Sequence, residues 1–546
     1  VKLRTKTPRT SCTKREWPPG SCPAAIRFSS FLTRQSSPEE TPQTGRRCAH
    51  LHLLTVNARQ SNLPLFYQTG NVLASDAFRL QPKFNAGNSF PFPAGGPDVT
   101  FNRKMIRTRC FVLFSLSLAV CSLQAQQPQP PAVTQAVLAG KLIDVRTGAV
   151  RSHAYILIAG DRVQSIADSA PAGILVTDLS AYTALPGLID AHAHTLSNPT
   201  TQNIAAHLRT SIPQATLWGV YNLRLWLDHG FTSVRDACEG PPDYPQFALR
   251  DSVKRGIILG PRITAAGSCI SLTGGHGDGS PFSPDMQLPR GQNVADTVDD
   301  IAHVVRRDIK YGADWIKLMA TGGVMDPISD FHVQELSEEQ MAAAVQIAHR
   351  AGKKVMAHAE GAAGIKAAVR AGVDSIEHGT MLDEEGATLM EQHHTWLVPT
   401  LYCFQHDMET GLSKGRDPDS YAKGVEIMAA QGPAFKLALA HHIRIAYGVD
   451  DADVDESVSK EFGALVRGGL SPLGALQAAT INAATMLEKD KDVGTLEPGR
   501  YADIVAVHGD PLADINVMEH VSFVMQGGKI IKDPAHPDRN PVIHVK

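Results

Sequence analysis

Apolar and polar positions follow two rhythms along the chain. Short apolar runs at 137–143, 154–158 and 162–166 are parted by Thr-Gly and Gly-Asp turns, the pattern of β-strands joined tightly. The same rhythm returns at 502–507, 521–524 and 529–532, around Gly527 and Gly528. Between these ends, from 187 to 490, strand-like runs alternate with helical patterns. Eight strands are predicted there: 187–194, 231–236, 262–267, 315–320, 354–358, 373–378, 396–400 and 443–450. Helices are expected between them, as at 337–351 and 362–371. Ser337 and Gln340 have the spacing of a capping box, and several helices end at Ala-Gly or His-Gly. Eight β/α units in roughly 300 residues predict an α/β fold, a TIM (β/α)8 barrel, which usually takes about 250. The β-rich ends predict a small β-sandwich domain made of 136–186 and 491–535. A doubly wound sheet is the alternative, but no Gly-rich dinucleotide fingerprint follows an early strand.

Composition supports a folded chain and exposes one break. The 546 residues are 43% hydrophobic and 20% charged, which excludes a disordered, collagen-like or multi-spanning membrane protein. Only 6% are aromatic, so the core must be mainly aliphatic. The net charge of −3 gives no general case for nucleic-acid binding. Residues 1–104, however, hold 15 Lys/Arg against 5 Asp/Glu and show no sustained period. They are expected to be a non-native or disordered extension. Met105 begins a short basic stretch, followed by an apolar run at 110–123 and by Ala125. This is the layout of a secretory signal peptide over 105–125, followed by a linker at 126–135. It predicts a natural start at Met105 and export to a periplasm or the exterior, with no stable membrane insertion. Val120 fits a lipoprotein box poorly, so a lipid anchor at Cys121 is the lesser reading. Beyond the signal remain Cys238, Cys269 and Cys403, an odd and scattered set that predicts buried thiols rather than disulfides. Residues 536–546 are read as a tail.

The chemistry-bearing residues gather at one end of the predicted barrel. Active sites of this fold lie at the C-terminal ends of the strands. There the sequence places His192 and His194, Lys317, His358, His378 and Asp450. Residues i and i+2 of a strand point to the same side, so His192 and His194 can reach one metal ion. Imidazole and carboxylate suit zinc and related divalent ions. A lone strand-end histidine is more often structural; the ordered set is the signal.

The run Leu-Pro-Gly-Leu-Ile-Asp-Ala-His-Ala-His at 185–194 resembles the opening signature of the amidohydrolase superfamily. Ala-Thr-Ile-Asn-Ala at 479–483, Gly-Thr-Leu-Glu-Pro-Gly at 494–499 and Ala-Asp-Ile-Val at 502–505 are similar to its closing motifs. The resemblance covers about residues 135–535 and implies a metal-bearing barrel with a sandwich from the two ends. Trp-Ile-Lys-Leu-Met-Ala-Thr-Gly-Gly at 315–323 resembles the binuclear branch, in which the strand-four lysine is a carbamate bridging two metals. The implied cofactors are two divalent ions, Zn²⁺ foremost, with a carbamate on Lys317. His192, His194 and Asp450 would bind one ion, His358 and His378 the other, with Lys317 between. Gly-Gly-His-Gly at 274–277, His-Ala-Glu-Gly at 358–361 and Ser-Ile-Glu-His-Gly at 375–379 narrow the likeness to Xaa-Pro and Xaa-Arg/Lys dipeptidases and ochratoxin-hydrolysing amidases. By this resemblance His276 contacts the substrate carboxylate. One departure is Val449, apolar where many relatives carry Thr or Ser beside the strand-eight ligand.

Other residues have smaller parts. His393, His394, His441 and His442 precede strands seven and eight and are expected at the surface. Arg235 and Asp236 are read as a structural ion pair, Glu360 as a neighbour of the metal ligands, and Tyr402 and His406 as candidates for the pocket wall. The expected reaction is metal-dependent hydrolysis of a terminal amide in a dipeptide or N-acyl amino acid, with Asp450 as base and then acid. A deaminase or cyclic-amide hydrolase of the same superfamily, without need of Lys317, is the competing enzyme reading. A scaffold without chemistry would lack ligands that are all present here. The expected partner is a small molecule or dipeptide, not nucleic acid; the resemblance allows a homo-oligomer.

Overall fold

The computed structural model describes residues 131–544 except 240–242, 280–281, 287–290 and 543. The signal peptide and basic extension expected from the sequence lie outside the described residues. Among the described residues no helix is long and apolar enough to cross a membrane.

Two seven-stranded sheets organise the chain. The first runs β14-β13-β12-β4-β1-β2-β3 and draws on both chain ends. Its early strands are β1 (Gln135–Ile143), β2 (Val150–Ala159), β3 (Arg162–Ala167) and β4 (Leu175–Pro186). Its late strands are β12 (Ile504–Val507), β13 (Val521–Gln526) and β14 (Lys529–Lys532). β4 joins the two halves, parallel to β1 on one side and antiparallel to β12 on the other. The expected pairing of the chain ends is therefore present, as one continuous sheet where a sandwich was expected.

The second sheet is the barrel. β5 (Leu188–Ala193), β6 (Phe231–Asp236), β7 (Arg262–Ile270), β8 (Trp315–Met319), β9 (Lys354–Ala359), β10 (Ser375–His378) and β11 (Trp396–Val398) follow one another in chain order, all parallel. Such strands are covered on both faces, which is why β5, β6 and β8 are buried along their whole length. The eighth predicted strand, 443–450, makes no regular ladder but still fills the gap. Leu397 donates to the Arg444 carbonyl (2.9 Å) and Ala446 to Leu397 (3.0 Å); on the other side Ala191 donates to Tyr447 (2.8 Å) and Asp450 to His192 (2.9 Å). Asp190 replaces further ladder bonds, its carboxyl accepting from the backbone N–H groups of His192 (3.0 Å) and Val449 (3.3 Å). The result is a TIM-barrel-like fold.

Local signals behave as the sequence predicts. The helix Glu338–Arg350 opens with a Ser337–Gln340 capping box, and Ala362–Ala371 ends at Gly372 in the left-handed conformation. Gly187 lies where β4 passes into β5. A Cβ there would fall 2.3 Å from Thr232 Oγ1 and 2.9 Å from the Asp503 side chain, so only glycine fits.

Candidate active site

The C-terminal mouth of the barrel gathers all seven residues singled out from the sequence. His192, His378 and Asp450 offer ligand atoms within 4.8 Å of one another, and so do His358, Glu360 and His378. His378 belongs to both groups. His194 Nε2 lies 3.0 Å from Asp450 Oδ1, and Lys317 Nζ lies 3.5 Å from His192 Nε2. His276 stacks on His358 with ring centroids 4.5 Å apart.

Each imidazole is held from behind. His192 Nδ1 meets Glu377 Oε2 at 2.8 Å, His194 Nδ1 the Cys238 carbonyl at 2.8 Å, and His378 Nδ1 the Thr400 hydroxyl at 2.7 Å. These bonds turn Nε2 of all three rings toward Asp450, within 3.4, 3.0 and 3.8 Å of its oxygens. His358 is held by its Nε2, 3.0 Å from the Gly322 carbonyl. Fixing one ring nitrogen and presenting the other is how proteins orient metal-binding histidines.

Burial and charge set the protonation states. Burial, then the Lys317 charge, pushes His192 well below its usual value. Burial, then His276, does the same for His358; burial, then His192, does so for His378. These rings are neutral and keep a lone pair for a cation. Burial also lowers Lys317, although Glu377 and Asp450 oppose it. Burial would raise Asp450, but the facing His192 ring, the hydrogen bond from His194 and the Lys317 charge outweigh it and hold it below its ordinary value. Glu360 is pushed up to about 8 by burial. Thr380 stands close enough to favour its carboxylate, yet both Glu360 oxygens are buried without a hydrogen bond of proper geometry.

Backbone strain is concentrated here. His378 (φ 69°), Thr400 (φ 45°) and Asp450 (φ 57°) are all left-handed without being glycine, a conformation that costs on the order of 1–3 kcal/mol each and clusters at functional sites. At His378 it has a visible effect. Neighbouring strand residues normally point to opposite faces, yet Glu377 and His378 both reach into the barrel.

Two expectations need correction. Arg235 does not pair with Asp236, because adjacent residues of β6 face opposite ways. Arg235 instead donates to both Glu377 oxygens (2.8 and 2.7 Å), with neither side chain exposed, and lies over the Trp315 ring. Asp236 turns to Thr195, whose hydroxyl donates to it at 2.5 Å. Cys238 and Cys269 are not free thiols: they form a disulfide across neighbouring strand ends, Cα atoms 5.3 Å apart, while Cys403 stays free and buried. Glu377, Asp326 and Thr400, which no sequence pattern marks, orient His192, His276 and His378; Asp326 Oδ2 lies 2.6 Å from His276 Nδ1.

The remaining candidates divide. His406 Nδ1 is 2.5 Å from Asp451, beside the site, and its ring stacks on Tyr402. Val449 is fully buried, and the Asp450 carboxyl has histidines for neighbours instead of a hydroxyl. His393, His394 and His442 are exposed, and His441 pairs with Glu384 and Glu391. A cavity of about 290 Å³ lined by Lys354, Asp374, His394 and Arg444 lies near the opposite strand ends and includes none of the site residues.

Residues 183–531 match the model of the amidohydrolase family, and the chain belongs to that family. It is similar to the ochratoxinase of Aspergillus niger, 30% identical over 383 residues that cover 64% of this chain and 76% of the relative. Among solved structures it resembles a Xaa-Pro dipeptidase with bound methionine in the active site, with TM-score 0.68, 31% identity, and coverage of 72% of this chain and 99% of that one. A prolidase complexed with N-methylphosphonate-L-proline aligns with TM-score 0.68 and 31% identity, over 73% of this chain and 99% of the other.

Proposed function

We propose that the protein is a metal-dependent amidohydrolase that cleaves a terminal amide bond in dipeptides or N-acyl amino acids, ochratoxin-like amides included. The observation that carries this reading is the convergence of His192, His194, Lys317, His358, His378 and Asp450 on one barrel mouth. The similarity to an ochratoxinase and to Xaa-Pro dipeptidases supports the substrate class.

The residues fit divalent ions. Three buried imidazoles are neutral, and the buried Glu360 carboxyl has no hydrogen bond of proper geometry, a combination that a cation satisfies. His192, His194 and Asp450 would hold one ion, His358 and His378 a second, and Lys317 would bridge them as a carbamate. The lowered Lys317 pKa favours this modification. As the free amine, Lys317 would add to the carbon of CO₂, one C=O π pair moving to oxygen and a nitrogen proton leaving to solvent. When bound, the ions supply Lewis acidity and bring the pKa of water near neutrality. Asp450, held ionised by its histidines, accepts a proton from the attacking water. It then gives that proton to the amine nitrogen as the C–N bond breaks. His276, whose Nδ1 lies 2.6 Å from Asp326, would contact the carboxylate of the departing amino acid. The disulfide at the mouth accords with the export expected from the sequence.

Lys317→Ala tests this directly. Amino-acid release should fall by about a hundredfold or more, since a bridging ligand is worth several kcal/mol, and metal content should drop below two ions per chain. Full amide hydrolysis by this variant would contradict the reading; ammonia release without amide cleavage would favour the deaminase.

A further inference from the structure

β5 and β9 end in the same way. On β5, His192 lies in the strand and His194 just beyond it. On β9, His358 lies in the strand and Glu360 just beyond it. The i, i+2 spacing turns both members of each pair to one side. The second pair meets His378, and the ligand atoms of His358, Glu360 and His378 all lie within 4.8 Å of one another.

Glu360 has no other visible task. It is 0% exposed, neither of its oxygens has a hydrogen bond of proper geometry although Thr380 stands close, and it forms no ion pair among the described residues. Four other carboxyls of the described mouth are engaged. Glu377 meets Arg235 and His192, Asp236 meets Thr195, Asp326 meets His276, and Asp450 meets His194. A carboxylate taken out of water without donors or a cation is costly. A divalent ion between two imidazoles and a carboxylate satisfies it, and two His with one Glu is a known zinc-binding set.

We propose that Glu360 is itself a metal ligand, completing with His358 and His378 a three-residue set for the second ion. This rests on the metal-dependent reading above and extends it. The family resemblance gives that ion only two histidines and Lys317, so Glu360 would add a protein carboxylate to that set.

Zinc titration of the metal-depleted full chain by calorimetry tests the proposal, with Glu360→Gln and Glu360→Asp alongside. The wild type should take up two Zn²⁺. Glu360→Gln should bind one ion as before and the other at least about tenfold more weakly, with Glu360→Asp between them. Two unchanged affinities in Glu360→Gln would overturn the role of Glu360 while leaving the metal centre intact. A wild type that binds no zinc would overturn both. Should the variants fail to fold, a zinc-loaded crystal structure of the wild type decides. A Glu360 oxygen about 2.0–2.2 Å from an ion supports the proposal, and one beyond hydrogen-bond distance from every ion refutes it.

Discussion

Glu377 shows how a single side chain links stability to the site. Its oxygens receive both hydrogen bonds from the Arg235 amino group, and one of them also fixes His192 Nδ1. Glu377→Gln keeps the volume and removes the charge. Arg235 is then buried without a counter-ion, which costs about 3–5 kcal/mol, readable in urea denaturation. The same change frees His192, so zinc affinity should fall about 10–100-fold. An unchanged unfolding midpoint together with unchanged affinity would refute this assignment. The ligand candidates were legible in the sequence because strand ends of a barrel share one face and histidine is scarce there by chance. Glu377 was not, because strand alternation predicts that it points away from the side His378 occupies. Only the left-handed backbone at His378 brings both inward, and nothing in the residue type announces that.

Elements around the mouth are tied by contacts that cross from one β/α unit to the next. The Cys238–Cys269 bridge joins the ends of β6 and β7 and closes a loop with a sequence separation of 31. The double variant Cys238→Ala/Cys269→Ala should lose about 2–4 kcal/mol of stability under oxidising conditions. Because the Cys238 carbonyl also receives His194, it should bind zinc more weakly as well. Counting cysteines could not reveal the bridge, since the pairing depends on β6 and β7 being neighbours. Helices Leu401–Thr410 and Glu461–Gly468 meet at Glu461, whose carboxyl accepts from the Leu401 and Tyr402 N–H groups (3.0 and 2.6 Å) and is pushed up to about 8 by burial. The folded state thus keeps a proton that the unfolded chain releases above its ordinary value of about 4.5. Stability from this group is present at low pH and declines as pH rises toward 8. Melting temperatures at pH 5 and pH 8 should accordingly differ less in Glu461→Gln than in the wild type. The predicted eighth strand shows where pattern reading stops. Its apolar run is real, but Asp190 and the left-handed Asp450 replace regular pairing there.

Across the whole molecule, the chain ends brace the barrel. β4 starts half exposed, ends buried, and passes through Gly187 directly into the strand that carries His192. Its first half mixes exposed Leu175 and Val176 with Thr177, Asp178 and Ser180 and so shows no sustained apolar run, whereas the late strands are legible as short apolar runs. The barrel order was legible because parallel strands buried on both faces must be apolar throughout. Metal bound at the mouth would draw together β5, β8, β9, β10 and the 443–450 segment, so its removal should be felt globally. Each ion supplied at a hundred times its Kd adds about 2.7 kcal/mol. Chelation should therefore lower Tm, and zinc should restore it.

The most direct test of the central claim is amino-acid release from a panel of dipeptides and N-acyl amino acids, measured before chelation, after it, and after zinc is returned. The account predicts release that stops on chelation and recovers with zinc. Release that continues unchanged without metal, or none from any amide while metal is bound, would contradict it.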